Sequence, residues 1–130
     1  MSLIKWTERM KQPKDFKNLM LSGYSPTDID AIYDINGKRY IIIELKLKDA
    51  PMPEGQRRAL KYLADNLVKA GCDVCLMVAE HNNPVTEPID VGNAIITKCA
   101  TSDGGEKTDK KYIGWSAIDA CNDFLGFDKK

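Results

Sequence analysis

Apolar and polar positions change period several times along the chain, and each change marks an element. Residues 28–35 (DIDAIYDI) alternate: Ile29, Ala31, Tyr33 and Ile35 fall on one face, Asp28, Asp30, Ile32 and Asp34 on the other. A repeat of two is that of a half-buried strand. Asn36-Gly37 follows, a dipeptide suited to a tight hairpin turn. Residues 39–47 (RYIIIELKL) are apolar on both faces, which predicts an interior strand paired antiparallel to the first. The period then changes to that of a helix over about 54–70, with Leu60, Leu63 and Leu67 on one stripe and Gly71 as the stop. Residues 73–79 (DVCLMVA) read as a second buried strand.

The ends of the chain are less regular. Phe16, Leu19 and Met20 are spaced as in a short helix over 14–22, with Pro13 before it and Gly23 after. Residues 82–92 carry two prolines and predict a loop. Residues 93–100 and 110–115 predict two short strands, separated by a polar, mobile loop (TSDGGEKTD). Ser116 and Asp119 form a capping-box pattern that opens a last helix, with Ile118, Cys121 and Leu125 facing inward and Gly126 ending it. The order predicts an α/β sandwich with a mixed sheet.

A length of 130 residues suits one domain with a core. Nineteen lysines and arginines balance nineteen aspartates and glutamates, so no global field points to a nucleic-acid or membrane partner. The absence of a long apolar run or a signal-peptide pattern predicts a cytoplasmic protein, or one in a host cytoplasm if the source is viral. Of the four cysteines, Cys72 and Cys75 form a CxxC, but there is no second pair and His81 is the only histidine. Buried free thiols are therefore expected rather than a zinc site.

The chemistry lies where the most apolar strand stops being apolar. Ile41, Ile42 and Ile43 run into Glu44, Leu45 and Lys46. Glu44 and Lys46 share a face, roughly 7 Å apart along the strand. If the turn centres on Asn36-Gly37, Asp30 lies opposite residues 43–44. Two convergent carboxylates suit a hard cation such as Mg²⁺ or Mn²⁺. A lysine beside them can stabilise charge on a phosphate oxygen. Gln56 lies on the Leu60–Leu63–Leu67 stripe, at the helix N-terminus and directed toward the sheet. Singly, each residue has an ordinary structural explanation; together they suit phosphodiester hydrolysis.

With Pro26-Thr27-Asp28-Ile29-Asp30 and Glu44-Leu45-Lys46, the chain resembles the PD-(D/E)xK nuclease superfamily over about residues 14–81. Gln56 near a helix start and the later Gly71 make it most similar to the VRR-Nuc and Holliday-junction resolvase-like groups. The valine-arginine-arginine element that names the first group is missing. The resemblance implies a restriction-endonuclease-like αβββαβ core with a mixed central sheet flanked by helices. It makes the chain a single nuclease-like domain, with C-terminal strands and a helix at 93–126 added to that core. It implies a Mg²⁺- or Mn²⁺-dependent deoxyribonuclease, directed by DNA structure or ends rather than by sequence. Asp30 and Glu44 would be metal ligands, with Asp28 the alternative to Asp30 and the Leu45 carbonyl a third. Lys46 would be the catalytic lysine and Gln56 an accessory, and Glu8 or Asp15 could add an acid. Lys48, Arg57, Arg58 and Lys61 are candidate DNA contacts, with Lys107, Lys110 and Lys111 a second group. A homodimer fits such a substrate, and RNA stays open as the nucleic acid. The competing expectation is a non-catalytic binding module of the same fold in a DNA-processing complex.

Overall fold

The computed structural model describes residues 17–19, 21–24 and 26–127. Of the helix expected over 14–22, residues 14–16 (Asp15 among them) and 20 lie outside them, as does Glu8; the described part holds a single 3-10 turn at Lys17–Leu19 and, at Leu21, a bridge to Tyr24 rather than helix. The remaining elements are β1 (Ala31–Ile35), β2 (Arg39–Leu47), α1 (Glu54–Lys69), β3 (Asp73–His81), β4 (Ile95–Asp103), β5 (Glu106–Thr108) and α2 (Ala117–Leu125). The five strands lie in one mixed sheet in the order β1-β2-β3-β4-β5. Only β2 and β3 are parallel, and α1 is the crossover that parallel pairing requires.

Local chemistry accounts for the first half. Asn36 and Gly37 both have positive φ, 56° and 68°, as the hairpin turn demands. The Asp34 carboxylate accepts the Gly37 amide at 2.7 Å and ties the turn to β1. At the end of α1, Gly71 has φ 95°; its amide donates to Val68 and the Cys72 amide donates to Leu67. Two such bonds close a Schellman turn and redirect the chain into β3.

Each face of the sheet has its own apolar layer. Ile41 and Ile43 of β2 join Cys75, Met77 and Ala79 of β3, and α2 covers them with Ala117, Ala120, Cys121 and Phe124. On the opposite face Ile42, Val74 and Val78 are buried with Leu60 and Ala64 of α1. Each fully buried isoleucine contributes roughly 2–3 kcal/mol. The interior position predicted for β2 follows directly, since both its faces are covered. The four cysteines are free thiols; three are buried and Cys72 is half-buried.

Three expectations fail in the C-terminal third. Residues 110–115 are a turn rather than a strand. Tyr112 is fully buried there, edge-on to Trp115 with ring centroids 5.0 Å apart, and its hydroxyl donates to Asp123 at 2.7 Å. A buried aromatic anchored by a hydrogen bond outweighs the strand propensity of the segment. TSDGGEKTD is not a loop: β4 runs on to Asp103, Gly104 and Gly105 turn with φ 61° and 86°, and β5 returns antiparallel. The Gly-Gly pair is a hairpin turn hidden in a polar composition. Finally, Ile118 is half-exposed, and the inward face of α2 is Ala117, Ala120, Cys121 and Phe124. Cys121 is buried and Leu125 partly so, as expected. Ser116 caps α2 by accepting the Asp119 amide, and Gly126 ends it with φ 76°.

Candidate functional site

The β1–β2 register decides what meets at the end of IIIELK. Ala31 pairs with Ile43, so Asp30, one residue earlier, comes abreast of Glu44. The strand stops pairing at that point. The Asp30 carboxylate takes the place of the next ladder bond, accepting the Leu45 amide at 2.7 Å. A strand residue directs its N–H and C=O to the same edge, so the Leu45 carbonyl lies on the Asp30 side as well.

Glu44 occupies the α1 face of the sheet and is 5% exposed. Burial pushes its carboxyl up from 4.5 to about 7, and the Asp30 carboxylate beside it adds to the rise. Asp28 contributes weakly in the same direction, whereas the hydrogen bond from Gln56 opposes it. That bond is direct: the Gln56 amide donates to Glu44 Oε2. Gln56 reaches it because it lies on the stripe of α1 that faces the sheet, in the helix's first turn. The other oxygen, Oε1, is buried and accepts no hydrogen bond, while a proton on Glu44 would be shared with the Asp30 carboxylate, which also raises the Glu44 pKa. An orphan carboxylate oxygen beside a second carboxylate is a costly arrangement.

A divalent cation would relieve that cost, and the donors present fit one. They are two carboxylates and a backbone carbonyl, all hard oxygens, as Mg²⁺ or Mn²⁺ prefers. Among the described residues no group of three or more His, Cys, Asp or Glu side chains could hold a metal ion.

Lys46 shares the face of Glu44, but its ammonium is held on the β3 side. Nζ lies 2.8 Å from Glu80 Oε2 and also donates to the Ala50 carbonyl. Parallel pairing sets this up, since Lys46 lies opposite Glu80. The lysine holds the Glu80 carboxyl below its ordinary value, and the Asp49 backbone adds to the effect. A bulge between Val78 and Ala79 shifts the β3–β4 register next to this pair. Glu80 lies beyond the strand end that the 73–79 pattern predicts, because β3 runs on to His81; its signal in the chain is an acid one residue past a buried run.

The basic candidates divide. Arg57 is tied to Glu54 at 2.7 Å and Lys61 to Asp65 at 3.1 Å, both exposed pairs within α1. Arg58 is exposed on the same helix. Lys48 is different: it lines a cleft of about 590 Å³ beside Glu80. Lys107 and Lys61 line a second groove of about 730 Å³ between α1 and the β4–β5 hairpin. Lys111 lies 3.8 Å from Asp123 and over the Tyr112 ring, and Lys110 is exposed. Arg39 serves the fold: it bonds Asp73 at 2.7 Å, Asp103 at 3.2 Å and the Phe124 carbonyl, and lies over the Phe124 ring.

No family model, no curated protein and no solved structure matches the chain. The protein is thus defined by its own geometry: an α/β domain with a five-stranded mixed sheet and a buried carboxylate facing a second one at a strand end. Among the described residues no helix is long and apolar enough to cross a membrane.

Proposed function

We propose that the chain is a metal-dependent nuclease on a restriction-endonuclease-like core, acting on DNA structure or ends. One observation carries the reading: Asp30 and Glu44 converge, with Glu44 buried, orphaned at Oε1 and held by Gln56. An arrangement that destabilises an apo fold is retained more readily for ligand binding than for packing. The β1–β2 hairpin, the α1 crossover and parallel β3 are compatible with the strand-strand-helix-strand part of the implied αβββαβ core, although among the described residues two strands rather than three precede α1.

Asp30, Glu44 and the Leu45 carbonyl would hold Mg²⁺ or Mn²⁺. When bound, the ion supplies Lewis acidity toward a phosphate oxygen and lowers the pKa of coordinated water. The protein's own residues do the rest. Gln56 fixes the Glu44 carboxylate with one oxygen free. Lys46 shares the sheet face of Glu44 and would meet charge building on the scissile phosphate; in this structure Glu80 and the Ala50 carbonyl hold its ammonium on the β3 side.

The test is cleavage of labelled linear, flapped and four-way-junction DNA with Mg²⁺ or Mn²⁺, using wild type, Lys46→Ala and Glu44→Gln. Metal-dependent cutting lost in both variants supports the nuclease. Equal cutting by all three indicates a contaminant. No cutting, together with no heat on Mn²⁺ titration, rejects it in favour of the binding module.

A further inference from the structure

The cleft that Glu80 and Lys48 line begins where the chemistry above ends. Lys46 opposes Glu80 and Leu47 opposes His81, so one residue along β3 leads from the lysine's partner into the cleft. Asn82, Asn83 and Asn93 line it with amides beside Lys48 and His81, and its two carboxylates are already engaged, Glu80 by Lys46 and Asp90 by Asn93.

Internal bonds use only part of this hydrogen-bonding capacity. The His81 Nδ1 accepts the Asn83 backbone amide at 3.3 Å, so a neutral ring carries its proton on Nε2 as a donor. The Asn83 side-chain oxygen accepts from the Asp90 amide at 3.2 Å, leaving its NH₂ group. The Asn93 NH₂ bonds Asp90 at 2.7 Å, leaving its oxygen as an acceptor. Donors and acceptors therefore stand beside one ammonium, and Ile95, 45% exposed, offers an apolar surface. A cleft of about 590 Å³ is large enough for a nucleotide.

We propose that this cleft receives one unpaired nucleotide next to the scissile phosphate, its base edge read by the asparagines, its face against Ile95 and its phosphate on Lys48. The proposal rests on the nuclease reading and adds a substrate class to it. In a duplex the Watson–Crick edges are already paired and the base faces stacked, so neither can meet amides in a cleft. The preferred substrate then carries a single strand, flap or frayed end at the cut.

The test separates this from the nuclease itself. In the Glu44→Gln background with Mg²⁺, fluorescence anisotropy compares a short labelled single strand with the blunt duplex of the same sequence. Tighter single-strand binding is expected, and adding Ile95→Glu, which sets a carboxylate where the base face and phosphate would lie, or Asn82→Ala should weaken it, about tenfold for the carboxylate and less for the lost amide. Circular dichroism confirms that each variant is folded. If Ile95→Glu blocks folding, Asn82→Ala combined with Lys48→Ala gives the same readout. Equal affinity for the two forms, a preference untouched by cleft variants, or binding of neither overturns the proposal. The nuclease reading is judged separately, by wild-type cutting lost in Glu44→Gln.

Discussion

Replacing Glu44 by glutamine should make the metal-free protein more stable while removing its proposed activity. The wild-type carboxyl rises from 4.5 to about 7 on folding, because of burial and the adjacent Asp30 carboxylate. Between those values the native state binds more protons than the unfolded chain, so stability falls as pH rises through that window. Above it the full cost applies, about 3 kcal/mol at 1.36 kcal/mol per pH unit. Glutamine is close in shape, carries no charge, can still accept from Gln56 and can offer its NH₂ to Asp30. At about pH 8 the variant should therefore gain about 2–3 kcal/mol, on the order of 10 °C in Tm. At about pH 5, where the native wild-type carboxyl is already protonated, most of the gain should vanish. Thermal or urea denaturation at both pH values measures this, with and without Mn²⁺. The cation should raise the wild-type Tm at the higher pH and leave the variant unmoved. An equal advantage at both pH values, or none at the higher one, would refute the account of Glu44 as a destabilised, buried carboxylate.

Three further outcomes follow from the same contacts. Gln56→Leu removes the hydrogen bond that opposes the Glu44 shift, so the pH midpoint of Mn²⁺ affinity should move upward; calorimetric titration across pH reads it. Lys46→Ala leaves Glu80 without its ammonium partner, so the urea midpoint should fall at neutral pH, and adding Glu80→Gln should recover part of the loss. Because Lys46 depresses the Glu80 carboxyl, the wild-type advantage should be present above the ordinary glutamate value and shrink as the pH falls through the folded one. Tyr112→Phe removes a buried hydroxyl bond to Asp123 and should cost about 1 kcal/mol in equilibrium denaturation.

Much of the architecture was legible in the chain because it depends on local signals. Asn36-Gly37 sets the first hairpin, the triple isoleucine marks a strand covered on both faces, and Gly71 and Ser116 end and begin helices by backbone conformation and capping. Those signals also carry the candidate site part of the way. Once the turn is placed, Asp30 must fall near Glu44, and the helical period alone directs Gln56 toward the sheet. The C-terminal third was less legible because its signals conflict. Gly104-Gly105 looked like loop composition, and residues 110–115 looked like a strand until the burial of Tyr112 decided otherwise.

What the sequence alone determined, then, is the class of fold and the set of acids, lysine and amide available at one strand end, because local period and turn chemistry act over a few residues. Only the tertiary structure decided how those groups are charged and held. The Glu44 pKa depends on burial under α1 and on a carboxylate fourteen residues away. The Lys46 ammonium is aimed by Glu80, which parallel pairing brings from the far side of the crossover. Desolvation and Coulomb interaction depend on distance in space, and no local pattern in a chain records that distance.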